Sequence, residues 1–341
     1  MTRTVFKCVD AHTCGNSVRV VTANGPDLTG QSMSEKRQHF IREYDWIRTS
    51  LMFEPRGHDA MSGSILYPPI TPGSDLGVLF IEVSGCLPMC GHGAIGTVTI
   101  ALEENLVTPN TPGLLKMDTP AGLVEARYEI TDGYVDSVEL TNIPSFLHST
   151  EVKADVPGIG ELIMDISYGG NFYAIIEPQK NYQGLEHISV DQIRAVSPLV
   201  RNEINKIITV VHPENETIKN VSHIMWTDRA RDKNADLRNA VFYGDRGIDR
   251  SPCGTGTSAR IAQLVSRGDL ALGQKFVHES IIGSLFTGYA IKQTQVGDYP
   301  AIIPTIIGWA QVTGHNNIIV DTKDPYAHGF LLGFSPEGQS Q

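Results

Sequence analysis

The 341-residue sequence is short of several things, and each shortage narrows its class. No apolar run approaches the ~20 residues that cross a bilayer; stretches such as 302–310 stop far short. No Lys/Arg-rich run occurs, and 27 basic against 38 acidic residues leave a formal charge of −11. That balance argues against nucleic acid or an anionic membrane as partner. The opening Met1-Thr-Arg-Thr-Val-Phe-Lys-Cys8 has no secretory apolar core, so a cytoplasmic protein is expected. Cysteine is scarce: Cys8, Cys14, Cys86, Cys90 and Cys253 are odd in number and lack the spacing of a disulfide scaffold or zinc finger. Intrinsic disorder is excluded by 41% hydrophobic against 19% charged residues, ample apolar mass for a core.

Turns and strands dominate what is present. With 33 glycines and 19 prolines, short strands are expected, at Val18–Thr22, Val78–Val83, Val135–Leu140, Tyr173–Glu177 and Ile318–Val320. Apolar spacing predicts one helix from Ser34 to Leu51 and another from Ser189 to Ile208. The second opens on a Ser189/Gln192 capping box and is expected to kink or split at Pro198. The run from Asp228 to Arg238 reads as a solvated loop.

The chain also repeats itself. Asp10-Ala-His-Thr-Cys-Gly-Asn16 returns 155 residues later as Asp165-Ile-Ser-Tyr-Gly-Gly-Asn171, and the helix starts Ser34 and Ser189 share that offset. Cys90-Gly-His-Gly returns as Cys253-Gly-Thr-Gly after 163 residues. Common order and near-constant spacing predict a duplicated, two-lobed architecture.

Each Cys-Gly-x-Gly precedes a helix-like run, with Ile95, Val98, Leu102 and Leu106 after the first, and Ile261, Leu264 and Val265 before Gly268 after the second. First-turn N–H groups lack intrahelical partners and make a site for a carboxylate. A thiol there sits at the positive end of the helix dipole, which is expected to lower its pKa from about 8.5 toward about 4–7. Two such units face to face suit a two-base inversion: one sulfur removes an α-proton and the other delivers one from the opposite side.

At these residues the chain resembles the proline racemase superfamily, through Met89-Cys-Gly-His-Gly93, Asp249-Arg-Ser-Pro-Cys-Gly-Thr-Gly-Thr-Ser-Ala259 and Glu54-Pro-Arg-Gly-His58. The likeness runs from Asp10-Ala-His-Thr13 to Asp324-Pro-Tyr-Ala-His-Gly-Phe330. It implies an α/β (α+β) fold of the diaminopimelate epimerase-like kind: two pseudo-symmetric lobes, each a mostly antiparallel sheet wrapped around a central helix. Lobe 1 would be 1–135 carrying Cys90, with 311–341 returning to it; lobe 2 would be 136–310 carrying Cys253. The implied activity is cofactor-independent epimerisation at the α-carbon of 4-hydroxyproline, interconverting the trans-4-hydroxy-L and cis-4-hydroxy-D forms. Proline racemisation by the same thiols is the nearest rival.

By the same resemblance Cys90 and Cys253 are the acid/base thiols, and Gly91, His92, Gly254 and Thr255 bind the carboxylate. Asp249 would face the ring ammonium, and His223 the 4-hydroxyl. No metal, nucleic acid or membrane is implied; the partner is a small imino acid, with a homodimer left open. Related dehydratases carry Thr in place of Cys253, which disfavours dehydration, and Cys14 stands where many members have Gly.

Blander readings apply elsewhere. Cys8, Cys14 and His12 read as structural residues of a strand and its turn, and Arg56 and His58 as shapers of a loop near the cleft. Cys86 reads as packing, although Cys86 with Cys90 forms a Cys-x-x-x-Cys that would suit a thiol redox switch or metal-binding protein, a different class of function.

Overall fold

The computed structural model describes residues 3–332. Two helices, Gly91–Glu103 and Gly254–Arg267, set the plan. The first is buried from Gly91 through Ala101 and the second from Gly254 through Leu264. A helix covered on every side belongs inside a core rather than on a surface, and here strands supply the cover.

Around Gly254–Arg267 the strands close on themselves. Tyr299–Gly308 pairs with Ser145–Val156, which pairs with Gly160–Tyr168 and so with Phe172–Ile176. That strand runs parallel to Val221–Arg229, which leads to Leu237–Tyr243 and, in parallel again, to Phe276–Glu279. Leu285–Val296 then returns the ladder to Tyr299–Gly308. Among the described residues this closure leaves the ring of strands around the helix with no free edge.

The Gly91–Glu103 helix is surrounded in the same sequence of pairings. Ala310–Asp321 pairs with Arg3–Thr13, then Asn16–Ala23, then in parallel Ser62–Tyr67, then Leu76–Glu82. A second parallel step leads to Leu114–Thr119, and from there to Gly122–Thr131 and Tyr134–Thr141. The parallel pairings fall at matching places in both lobes, as duplication requires. Tyr134–Thr141 also pairs with Tyr299–Gly308, joining the lobes, and the sequence-based boundary at 135/136 falls inside this strand. The repeated Asp-to-Asn segments occupy equivalent hairpins, Arg3–Thr13 with Asn16–Ala23 and Gly160–Tyr168 with Phe172–Ile176.

Helical expectations need two corrections. The run from Ser34 to Leu51 is two helices, Met33–Glu43 and Asp45–Met52, parted at Tyr44 where φ is −129° and the backbone leaves helical geometry. Conversely, Val190–Ile207 is not split at Pro198 but runs on as one helix. Its Ser189/Gln192 capping box is formed, and the buried stripe of Ile193, Ser197, Val200 and Ile204 spans both sides of the proline, so packing outweighs the missing N–H donor. Asp228–Arg238 divides between the ends of two strands and a connecting turn, in which the Arg231 and Asp232 N–H groups donate to Glu279. Among the described residues no helix is long and apolar enough to cross a membrane.

Candidate active site

The central helices meet at their N-termini. A methyl group placed on Gly91 would lie 2.6 Å from Gly254 Cα, and one on Gly254 would lie 2.8 Å from Gly91 Cα, so only glycine permits this approach. Cys90 and Cys253 are the N-cap residues of the two helices. Both line one buried chamber, together with Glu82, Leu87, His92, Tyr173, His223, Tyr243, Asp249 and Thr255. Its volume is about 10 Å³, roughly the room one water needs.

The repeated asparagines tie the lobes across this junction. Asn16, from the first hairpin, accepts from the Arg250 N–H at 3.1 Å, just ahead of Cys253. Asn171, its counterpart, donates to the Met89 carbonyl at 2.9 Å, just ahead of Cys90. With its Oδ1 so engaged, Asn16 turns its Nδ2 to His92 Nε2 at 2.9 Å. That arrangement assigns the His92 ring proton to Nδ1, which faces Asp249 Oδ2 at 3.4 Å. Asp249 Oδ1 accepts from the Ser251 N–H and hydroxyl, both at 2.8 Å.

Burial acts on every charge here. It lowers the basicity of His92, but Asp249 by charge and hydrogen bond, with Glu82, raises it past the ordinary value. Burial likewise works against the Asp249 carboxylate, yet His92 and Ser251 hold its pKa below the usual range. His223 is driven down to about 3, by burial first and then Arg201, and is neutral at physiological pH. Its Nδ1 meets Ser222 Oγ at 2.7 Å, and its ring lies against those of Tyr173 and Tyr243 at 4.8 and 6.2 Å.

The thiols depart from the expected depression. Both are pushed well above the ordinary cysteine value, by burial first. For Cys90 the Glu82 carboxylate adds to the rise, and the Gly93 N–H, donating to Sγ at 3.3 Å, only partly offsets it. For Cys253 the charge of Asp249 adds to it, while Tyr173 and the Gly256 N–H oppose. The helix dipole is present, but desolvation and neighbouring carboxylates outweigh it.

Of the proposed site residues, Cys90, His92, His223, Asp249, Cys253 and Thr255 line the chamber, while Gly91 and Gly254, each next to one of the cysteines, abut one another. Sequence reasoning missed Glu82, Leu87, Tyr173, Tyr243 and Asn16. The available signal was a carboxylate ending the otherwise apolar run Val78-Leu-Phe-Ile-Glu82, all of it buried. Glu82, Cys90 and His92 bring an oxygen, a sulfur and a nitrogen within 4.8 Å of one another, a set of zinc type. The two His92 ring nitrogens are already turned to Asn16 and Asp249, so the trio is engaged as a hydrogen-bond network.

The remaining candidates are structural. Cys86 packs with Met33 and Phe40 in a cluster separate from that of Cys90, and burial pushes it up to about 12. Cys14 is buried in the left-handed region at φ 46°, the backbone geometry glycine tolerates best, and burial raises it to about 11. His12 Nδ1 accepts from Gly15 N–H at 3.2 Å. Arg56 donates to the Ser50, Tyr326 and Ala327 carbonyls, and His58 Nε2 meets Ser17 Oγ at 3.2 Å.

The chain is similar to known proteins over nearly its whole length. A proline racemase family profile matches residues 8–331. A 4-hydroxyproline epimerase of Brucella ovis is 58% identical, covering 97% of this chain and 100% of its own length; a 4-hydroxyproline 2-epimerase of Brucella suis matches equally. A solved hydroxyproline epimerase of Agrobacterium vitis with bound trans-4-hydroxy-L-proline superposes with a TM-score of 0.89 at 30% identity, covering 97% of this chain and 96% of that one. A probable proline racemase of Agrobacterium radiobacter gives 0.89 at 33%, covering 96% and 97%. A Bacillus anthracis protein of the PhzF family, at 14% identity and a TM-score of 0.58, shares the fold over 93% of this chain and 99% of its own. By profile, by sequence and by architecture, the chain belongs to the proline racemase family.

Proposed function

We propose that the protein is an isomerase that epimerises 4-hydroxyproline at its α-carbon, interconverting the trans-4-hydroxy-L and cis-4-hydroxy-D forms. The observation that carries this reading is the placement of Cys90 and Cys253 in one chamber, each heading a helix, with the two helices abutting at Gly91 and Gly254. The identity to proteins named for this reaction supports the choice of substrate.

In this reading the first-turn N–H groups of Gly91, His92, Gly254 and Thr255 bind the substrate carboxylate. One sulfur, as thiolate, takes the α-proton; the C–H electron pair spreads into the carboxylate, where those donors stabilise the growing charge. Each well-aimed donor of this kind is worth about 3–4 kcal/mol of barrier. The other sulfur gives its proton to the opposite face and is left as the thiolate, so atoms and charge balance without metal or organic cofactor. Asp249 answers the ring ammonium, and neutral His223 is placed to hydrogen-bond the 4-hydroxyl. We take the protein to work in the cytoplasm on this small imino acid. Both thiols come from one chain, so a homodimer is compatible with the chemistry without being needed for it.

The test is incubation with proline and the 4-hydroxyproline isomers in heavy water in the presence of a chelator. NMR should show 4-hydroxyproline inverting with deuterium appearing at the α-carbon. Faster inversion of proline would move the assignment to proline racemase, and inversion of neither would overturn it.

A further inference from the structure

We infer that Glu82 and Tyr173 assign the two sulfurs unequal resting duties: Glu82 keeps a proton on Cys90, and Tyr173 steadies a negative charge on Cys253. The inference deepens the reading above and rests on both thiols serving one chamber.

The Cys90 sulfur lies 3.0 Å from Glu82 Oε1, in a position to donate its proton to the carboxylate. Glu82 is 3% exposed, and its other oxygen accepts from the Ser84 hydroxyl at 2.9 Å. Burial raises Glu82 itself, opposed by His92 and by the hydrogen bonds from Cys90 and Ser84; His92, 3.7 Å from the same sulfur, is turned to Asn16 and Asp249. With Glu82 ionised, a thiolate at Cys90 would set two negative charges side by side with almost no water, the arrangement that most strongly resists a second ionisation. Cys253 also feels a carboxylate, Asp249, but that group is engaged by His92 and Ser251, and a hydroxyl rather than a carboxylate stands against the sulfur itself. Tyr173 brings its hydroxyl to 3.3 Å from that sulfur and to 2.6 Å from Thr255 Oγ1. A Thr255 hydroxyl donating to the tyrosine oxygen frees the phenol proton for the sulfur, so charge at Cys253 is met by a donor.

The duplicated frame makes this asymmetry visible. Glu82 ends Leu76–Glu82, and the equivalent strand of the other lobe, Leu237–Tyr243, ends in a tyrosine. Tyr173 lies two residues beyond Asn171, and the place two beyond Asn16 is Val18. Each lobe thus carries one group that its counterpart lacks. Burial pushes both thiols up, and a carboxylate charge adds to each, Glu82 at Cys90 and Asp249 at Cys253; the hydrogen bond differs in sign, that of Glu82 raising Cys90 and that of Tyr173 lowering Cys253.

Site-resolved alkylation of the full-length protein with iodoacetamide, read by mass spectrometry across pH, tests the order. Cys253 should react about tenfold faster than Cys90 near neutral pH. Glu82→Gln should raise the Cys90 rate about tenfold and lower its titration midpoint by about one pH unit, the same free energy read twice. Glu82→Asp, which keeps the charge, should leave Cys90 slow, and Tyr173→Phe should slow Cys253 alone. Ultraviolet thiolate absorbance in Cys90→Ser and Cys253→Ser reads the same order without reagent access, ionisation coming at lower pH in Cys90→Ser. Faster labelling of Cys90, a reversed ionisation order or an unchanged ratio in Glu82→Gln would overturn the assignment. Neither readout depends on turnover: the expected order in a protein that inverts no imino acid would leave this inference standing and remove the proposed function.

Discussion

Gly91 and Gly254 touch across the lobe boundary, and each occupies space in which the other's missing side chain would have stood. This contact fixes the separation of the two helix ends and of the cysteines that stand at them. Gly91→Ala should cost about 1–3 kcal/mol of stability, as overpacking does. Activity should fall further, by about a hundredfold, because a displacement near 1 Å spoils the reacting geometry. Urea unfolding and epimerisation rates on one preparation would separate the two losses; unchanged turnover in Gly91→Ala would show that the contact does not set the thiols.

The asparagine ties should behave as a matched pair. Asn171→Ala removes the bond to the Met89 carbonyl, and Asn16→Ala removes those to Arg250 N–H and His92. Each leaves a buried polar group unsatisfied, a loss of about 1–3 kcal/mol. Only Asn16→Ala should also free the His92 ring, which a changed imidazole shift in NMR would reveal.

His223 should set the preference between substrates. Replacing it with Leu keeps a side chain of similar volume but removes the ring contacts with Tyr173 and Tyr243 and the neutral imidazole nitrogen that the proposed function assigns to the 4-hydroxyl. The ratio of kcat/KM for 4-hydroxyproline to that for proline should fall by about tenfold, the worth of one neutral hydrogen bond. An unchanged ratio would assign hydroxyl recognition elsewhere in the chamber.

Acid stability should depend on a histidine away from the chemistry. His278 is buried against Thr257 Oγ1 at 2.9 Å and Asn239 Nδ2 at 3.1 Å. Burial, then Arg260, depresses it from 6.5 to about 3. Between those values the unfolded chain binds the extra proton, so the contribution to stability is intact above 6.5 and is lost as pH falls toward 3. The slope is about 1.4 kcal/mol per pH unit for one such group. His278→Gln should flatten the urea-derived stability curve over that window by about one proton.

Much of this arrangement is legible in the sequence for a simple reason. Duplication writes the architecture twice, so Asp10–Asn16 with Asp165–Asn171 and the paired Cys-Gly-x-Gly motifs disclose two lobes and two helix openings. Chemistry that departs from the repeat stays hidden. Glu82 and Tyr173 sit in apolar strands and reach the sulfurs only because the strands are wrapped around the helix ends, so local pattern gives them no prominence. The thiol pKa shift went the other way because a helix dipole can be read from neighbouring residues, whereas depth of burial depends on the whole fold. Pro198 teaches the same lesson at the scale of a helix: propensity is local, and tertiary packing overruled it.

Leu87 is a party wall. It lines the catalytic chamber and also an outer cavity of about 390 Å³ bordered by Arg37, Phe172 and Lys219. An imino acid ring is larger than the inner room as it stands, so under the proposed function the lining must yield to admit it, and Leu87 is the residue the two cavities share. In the proposed epimerisation turnover would then run on two clocks, passage and proton exchange, and a deuterium at the α-carbon would retard only the second.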